Sequence, residues 1–127
     1  MRGLGLSCSL INGRPSVVGV LAEHAGSGIS GHEIFRHLAD PQEGFPLQLV
    51  ALANALESAL PDIRADAVIV RSMDWSRFGR GQEVMQKRYS VEGVLLATAR
   101  ARVERTTSLS GREIGQRLAS SKEEADG

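Results

Sequence analysis

The stretch Ala67-Val68-Ile69-Val70 decides the fold, because it is a continuous apolar run with three β-branched residues. Runs of this kind are typical of a strand buried on both faces in the centre of a sheet. Before it, apolar side chains recur at helical spacing over about four turns and stop near Pro61. These side chains are Leu49, Leu52, Ala53, Leu56 and Leu60. The pattern predicts a helix that leads into a central strand.

An N-terminal β-hairpin is predicted upstream of this unit. Two short runs rich in Leu, Ile and Val, at residues 2–11 and 16–22, bracket Asn12-Gly13-Arg14-Pro15. Asn-Gly is the strongest short hairpin signal, because both residues accept positive φ.

The segment at 30–39 has two interpretations. Ser30 and Glu33 have the spacing of a helix capping box, which favours a short helix through Ile34, Phe35 and Leu38. A third strand is the alternative, because the segment is short and short apolar runs are ambiguous.

Downstream of the central strand, residues 73–81 are predicted to form a loop. A long helix is predicted at 82–102, with an apolar stripe and with Arg88 and Arg100 outside that stripe. The stripe consists of Val84, Val91, Leu95 and Ala99. A fifth strand is predicted at 103–108. A second capping box at Ser110 predicts a last helix through Ile114 and Leu118.

Two antiparallel strands followed by strands that alternate with helices predict an α/β domain with a mixed sheet. A single domain is expected over residues 1–119, followed by a polar tail at 120–127. We expect the strand at 67–71 to lie parallel to the first strand.

Composition predicts a soluble, cytoplasmic protein. The chain is 42% hydrophobic and 24% charged, and it contains no apolar run of the roughly 20 residues that cross a bilayer. A signal peptide fits poorly, because Asn12, Arg14 and Pro15 interrupt the N-terminal apolar stretch. The single Cys8 has no partner thiol for a disulfide, and we expect it to be a small core residue.

The chain resembles the RuvC-like branch of the ribonuclease H-like fold, which contains Holliday-junction resolvases. One similar stretch is Phe45-Pro46-Leu47-Gln48-Leu49-Val50, which leads into the strand at 67–70. Another is Tyr89-Ser90-Val91-Glu92-Gly93-Val94-Leu95-Leu96-Ala97-Thr98-Ala99, which looks like the family's helix with a central glycine. The late stretch Ser121-Lys122-Glu123-Glu124-Ala125-Asp126 also looks similar. The resemblance covers most of the chain, and it rests on core patterns.

The resemblance also implies where this chain departs from the family. Members hold two divalent metals with carboxylates, which phosphodiester hydrolysis uses as a charged clamp. The first carboxylate should stand on the first strand, where this chain has Ser7, and the second should end the central strand, where it has Arg71. Of the family's final Asp pair, the resemblance leaves Asp126 as the matching residue. The resemblance therefore implies a domain that has lost its nuclease site, and we predict no catalytic residue, metal site or cofactor.

Other candidate sites have simpler interpretations. His24, His32 and His37 could suggest a metal site, but the last two are five residues apart and would diverge on a helix. Asp74 follows the central strand, where α/β proteins often place functional groups, but it is also the residue type that caps a turn.

A basic middle segment is the best functional lead. Residues 71–105 carry eight Arg and Lys against four acids, whereas residues 1–70 carry four against seven. Guanidinium groups match phosphates, and exposed aromatic rings such as those of Trp75, Phe78 and Tyr89 can stack on bases. The predicted nucleic-acid-binding residues are Arg71, Arg77, Arg80, Lys87 and Arg88. The alternative is an ordinary solvated helix face.

Two functions follow from the sequence. The first is a non-catalytic relative of resolvases that binds nucleic acid, and the second is an assembly subunit with no nucleic-acid role. A homodimer is also predicted through the helix at 89–99. Its apolar residues cover more than one stripe, and Gly93, Ala97 and Ala99 would let a second helix approach closely.

Overall fold

The computed structural model of the protein describes residues 1–25, 28–72 and 81–110. In this part of the chain the strands are β1 (Arg2–Ile11), β2 (Arg14–Ala25), β3 (Gly28–Leu38), β4 (Ala67–Ser72) and β5 (Thr106–Ser110). The helices are α1 (Phe45–Ile63) and α2 (Gln82–Arg100). Most of the predicted loop at 73–81, the last helix, the domain end at 119 and the tail at 120–127 lie outside the described residues.

The N-terminal hairpin is confirmed. Asn12 and Gly13 have φ values of 52° and 77°, so the turn uses the left-handed conformation that these two residues accept at low cost. Antiparallel pairing runs from Ile11 and Arg14 at the turn to Arg2 and Glu23. The second strand is longer than the predicted 16–22.

The helix favoured for residues 30–39 is wrong, and the strand alternative is correct. β3 pairs antiparallel with β2 from Gly28 to Leu38, with a register irregularity between Gly19 and Val20. A two-turn helix is only marginally stable by itself, whereas the free edge of β2 offers a backbone partner along its whole length. Phe35 is 8% exposed and joins the core from this strand. The pairing therefore overrides the local capping signal.

The sheet has the strand order β3-β2-β1-β4-β5. β1 pairs antiparallel with β2, while β4 lies parallel to β1 and β5 lies parallel to β4. The predicted mixed sheet, with the strand at 67–71 parallel to the first strand, is confirmed.

The prediction that the central strand is buried on both faces is wrong. Val68 and Val70 are fully buried, but Ile69 between them is 38% exposed. The reason is that α1 and α2 share one buried cluster with the same face of the sheet. No described helix lies on the other face, which we call the open face.

α1 ends two residues after Pro61, close to the predicted end near Pro61. The helix includes Pro61 and ends at Ile63, and Arg64 follows in the left-handed conformation with its N–H donating to the Leu60 carbonyl at 3.2 Å. Proline removes one helical N–H, but burial of Ile63, which is 3% exposed, offsets this loss. No described helix is long and apolar enough to cross a bilayer.

Candidate functional site

The candidate site lies at the edge of the sheet where the parallel strands end. β1, β4 and β5 run in the same direction, so their carboxyl ends meet at one edge. α2 begins at Gln82, after the segment that follows β4. In α/β proteins this edge commonly carries the functional groups.

Ser7 and Arg71 each follow the last residue that pairs β1 with β4, so both stand at this edge. The parallel pairing of β1 with β4 ends with Leu6 opposite Val70, and both of these side chains point into the core. The next residue on each strand points the opposite way, because side chains alternate along a strand. Ser7 and Arg71 are accordingly exposed on the open face.

Arg71 differs from several other arginines in its charge environment. Arg2 forms an ion pair with Glu23 at 3.0 Å, and Arg102 forms one with Glu57 at 3.1 Å. Arg36 is paired with Glu33 on its own strand. Among the described residues, no carboxylate forms an ion pair with Arg71. Its guanidinium group can therefore contact an external anion without first breaking a described ion pair.

Lys87 and Arg88 lie on α2, which packs on the other face of the sheet. The Lys87 ammonium is 3.9 Å from Glu83 Oε1 and 5.6 Å from the centre of the Phe45 ring. Arg88 Nε is 3.8 Å from Glu92 Oε1, with the Arg88 side chain 21% exposed. The prediction that Arg88 lies outside the inward stripe of the helix is wrong, and Val84, predicted to be in that stripe, is 37% exposed.

The five predicted nucleic-acid-binding residues therefore do not form one patch in the described part of the chain. Arg71 projects from the open face, whereas Lys87 and Arg88 belong to the helical face. Arg77 and Arg80 lie outside the described residues, as does Asp74.

Sequence reasoning missed Glu92. This glutamate is 5% exposed. On α2 it directly follows the fully buried Val91 and lies three residues before the fully buried Leu95. Its spacing of four residues from Arg88 is the signal that could have revealed the pair. Arg88 also lines a cleft of about 220 Å³ with Ser9, Leu10, Gly13 and Val84.

Cys8 lies next to this pair and is 7% exposed, in agreement with the prediction of a small core residue. Burial raises the pKa of the Cys8 thiol, and the charge of Arg88 opposes this effect only in part. A thiol with a raised pKa stays protonated at neutral pH, so it is a poor nucleophile and a poor metal ligand.

The described residues do not gather a metal-binding group. Within residues 1–25, 28–72 and 81–110, no three His, Cys, Asp or Glu side chains lie close enough together to hold a metal ion. His32 and His37 both lie on β3, where His32 is exposed and His37 is half-buried.

His37 is expected to make folding stability depend on pH. Its Nε2 atom is buried without a described hydrogen-bond partner, and burial lowers the pKa of the ring from its ordinary 6.5, with Glu43 opposing. As the pH falls, His37 therefore binds a proton at a higher pH in the unfolded chain than in the folded chain. Above about pH 6.5, His37 should not affect the free energy of unfolding. As the pH drops further, protonation of His37 in the unfolded chain should lower this free energy by at most about 1.4 kcal/mol per pH unit.

Urea unfolding of the wild type and His37→Gln between pH 7.5 and 5 measures this effect. The difference in unfolding free energy between the two proteins should change as the pH falls. His32→Gln is the control on the same strand, and it should parallel the wild type. Parallel curves for His37→Gln as well would contradict the assignment.

Comparisons with known proteins support the fold. No family model matches the chain, and no curated protein matches it. The structure of Thermus thermophilus RuvC in complex with a Holliday junction substrate matches with a TM-score of 0.69 and 18% identity, covering 94% of this chain and 72% of that one. A second Thermus thermophilus RuvC structure matches with a TM-score of 0.61 and 18% identity, covering 87% of this chain and 64% of that one.

These likenesses define the class of protein by fold. The chain has the ribonuclease H-like α/β fold, as the resemblance implied, and the two RuvC structures are among its structural neighbours. At this level of identity the likeness concerns architecture, and function has to be argued from the site.

Proposed function

We propose that this chain is a ribonuclease H-like domain that binds nucleic acid without cleaving it, with Arg71 as the principal phosphate contact. The observation that supports the proposal is the position of Arg71. It is exposed at the carboxyl end of β4, at the same edge of the sheet as Ser7, and no described carboxylate forms an ion pair with it.

The residue types at this position suit phosphate better than metal. Hard divalent cations need carboxylate or carbonyl oxygens, and a guanidinium group would repel them. By resemblance to RuvC-like proteins, Ser7 and Arg71 stand at the positions where that family has carboxylates. A hydroxyl and a guanidinium group can instead donate hydrogen bonds to a phosphate, with the planar guanidinium binding two oxygens.

The other predicted basic residues play secondary roles in this proposal. Lys87 and Arg88 each have a glutamate nearby on α2, which lowers the net charge that they offer to a polyanion. Arg77 and Arg80 belong to the segment between β4 and α2 and are proposed as additional contacts. Branched DNA is the first probe, because one structural neighbour is complexed with a Holliday junction substrate.

The test compares two charge reversals on the same protein. Arg71→Glu should weaken binding to a four-way DNA junction by at least about tenfold at low salt, and should reduce the slope of log K against log salt by about 1. Arg105→Glu is the control, because Arg105 is exposed and lies next to the start of β5, at the other end of the strands. It should change affinity less than about threefold. Fluorescence anisotropy over a salt series measures both quantities.

Two binding results would contradict the proposal. One is the absence of any measurable binding to DNA or RNA at low salt. The other is an equal loss of affinity in the two variants, which would show that Arg71 is not the principal phosphate contact. The junction should also remain uncut when Mn²⁺ is added, and cleavage that disappears in Asp74→Ala would show that a nuclease site exists elsewhere.

An assembly role is the second candidate function, as a homodimer in the cytoplasm. On α2 the exposed residues Tyr89, Gly93 and Ala97 recur every four positions, and Tyr89 is 42% exposed. Val91 and Leu95 are fully buried within the chain, and Val94 and Leu96 pack against the core. The dimer surface that remains is therefore the narrow stripe formed by Tyr89, Gly93 and Ala97.

Ala97→Glu is expected to dissociate such a dimer, because it would bury a carboxylate at the two-fold contact. Sedimentation at micromolar concentration measures the mass, against 13.6 kDa for the monomer. Asn54→Glu, on an exposed position of α1, is the control and should leave the mass unchanged. A wild-type protein that is monomeric throughout would refute this candidate.

A further inference from the structure

β3 is an edge strand of the sheet, and in the described part of the chain its outer side has no strand beside it. The strand runs for 11 residues from Gly28 to Leu38, and its described neighbour is β2. This length is about twice that of a typical strand. A free edge presents a row of backbone N–H and C=O groups with which another strand can pair.

Three large apolar side chains of this edge strand are exposed to solvent. Ile29 is 74% exposed, Ile34 is 37% exposed and Leu38 is 45% exposed. Ile29 pairs with His24 and Leu38 pairs with Ser16, which puts both apolar side chains on the open face of the sheet. The edge therefore combines free backbone groups with apolar side chains that could be covered by a partner.

A β-bulge decides which charged residues of β3 share a face. The register against β2 skips Ile34, so that Phe35 and Glu33 face successive residues of β2. Because of this extra residue, Glu33 and Arg36 lie on the same face although they are three positions apart, and their side chains form an ion pair. This face is the open face, since Val20, which pairs with Glu33, is 43% exposed.

We propose that β3 pairs with β3 of a second copy of this chain, antiparallel and about a two-fold axis, with Glu33 opposite Arg36 of the second copy. Opposed side chains of an antiparallel pair share one face, and a two-fold axis makes each contact twice. The bulge gives Glu33 and Arg36 a common face, so this register meets both conditions. Each carboxylate then faces one guanidinium across the strands and another along its own strand. The two five-stranded sheets become one continuous sheet.

The other side chains of the open face fit the same register. Leu38 lies opposite Gly31 of the second copy, where no side chain competes for the space, and diagonal to Ile29 of the second copy. The two most exposed apolar side chains of β3 thus cover each other. A register centred on Glu33 or on Arg36 would instead set like charges opposite each other, which is unfavourable. Arg71 and the α2 stripe take no part, so the inference is independent of the proposed function.

Charge reversal at the two positions tests the register. Glu33→Arg sets two guanidinium groups opposite each other at both symmetric contacts, and Arg36→Glu sets two carboxylates there. Each variant alone should raise the dissociation constant of the dimer at least about tenfold. An equimolar mixture of the two variants should associate within about threefold of the wild type, because opposite charges face each other again in the mixed pair. Sedimentation over a concentration series measures these constants.

Two further variants serve as controls. Glu57→Arg reverses an exposed glutamate of α1 that is also ion-paired, and Ala97→Glu changes the α2 stripe. Both should leave the dissociation constant unchanged. A wild type that is monomeric throughout the series would overturn the proposal, and so would a mixture that associates no better than its separate components. Association that is lost in Ala97→Glu and kept in Glu33→Arg would also overturn it, because α2 would then be the interface.

Amide hydrogen exchange gives an independent measurement on the wild type. Backbone N–H groups of β3 that point away from β2 should exchange at least about tenfold more slowly in the dimer than in dilute monomer, because the second strand accepts their hydrogen bonds. Amides of α1 should exchange at the same rate at both concentrations. Exchange in β3 that does not depend on protein concentration would overturn the proposal.

Discussion

Leu56→Ala is expected to lower the free energy of unfolding by about 3 to 5 kcal/mol. Leu56 is fully buried on α1, in the cluster shared by both described helices and the sheet. Removing its branched side chain loses the transfer free energy of the apolar atoms and leaves a cavity that the packed surroundings fill only in part. Urea unfolding followed by circular dichroism measures the change.

The matched control is Leu47→Ala on the same helix. Leu47 is 57% exposed, so the same chemical change should cost no more than about 0.5 kcal/mol. Both substitutions make the same chemical change on one helix, and the difference between them mainly reports tertiary burial. Equal losses in the two variants would show that α1 does not pack on the sheet as described.

Glu92→Ala is expected to lower the free energy of unfolding by about 3 kcal/mol. The Glu92 side chain is 7% exposed and lies 3.8 Å from the Arg88 guanidinium, whose own side chain is 21% exposed. Removing the carboxylate leaves a largely buried positive charge beside Cys8 without its nearby acid. The cost of that uncompensated charge dominates the effect.

Glu83→Ala provides the comparison on the same helix. Glu83 also pairs with a basic residue four positions away, at 3.9 Å from Lys87, but its side chain is 85% exposed. Its loss should cost at most about 0.5 kcal/mol, because water screens the pair. Replacing both partners, as Arg88→Met with Glu92→Leu, should restore most of the stability lost in Glu92→Ala. If Glu92→Ala and Glu83→Ala were equally mild, the pair would not be buried.

Much of the candidate site could be predicted from sequence. The sequence indicates Arg71 as a candidate phosphate ligand, and the resemblance to RuvC-like proteins implies that Ser7 on the first strand and Arg71 at the end of the central strand stand where that family has carboxylates. Their position at one edge of the sheet depends on a parallel pairing of β1 with β4 across more than 60 residues of chain. The role of the five basic residues in nucleic-acid binding stays a prediction, and the described members, Arg71, Lys87 and Arg88, do not share one face of the sheet because strand and helix side chains project to opposite faces.

Local chemistry was sufficient for the elements whose signals act over a few residues. Asn12-Gly13 makes a hairpin because both residues tolerate positive φ, and the 3.6-residue period of α1 and the β-branched run of β4 identify a helix and a strand by themselves. From these elements and their order, the mixed α/β sheet followed.

Contacts between distant segments decided the rest. β3 is a strand because the free edge of β2 pairs with it, and α1 continues through Pro61 because Ile63 is buried against the core. Ile69 is exposed and Glu92 is buried because both described helices pack on one face of the sheet. Each of these outcomes depends on which residues from other parts of the chain exclude water or supply hydrogen bonds, and no local periodicity carries that information.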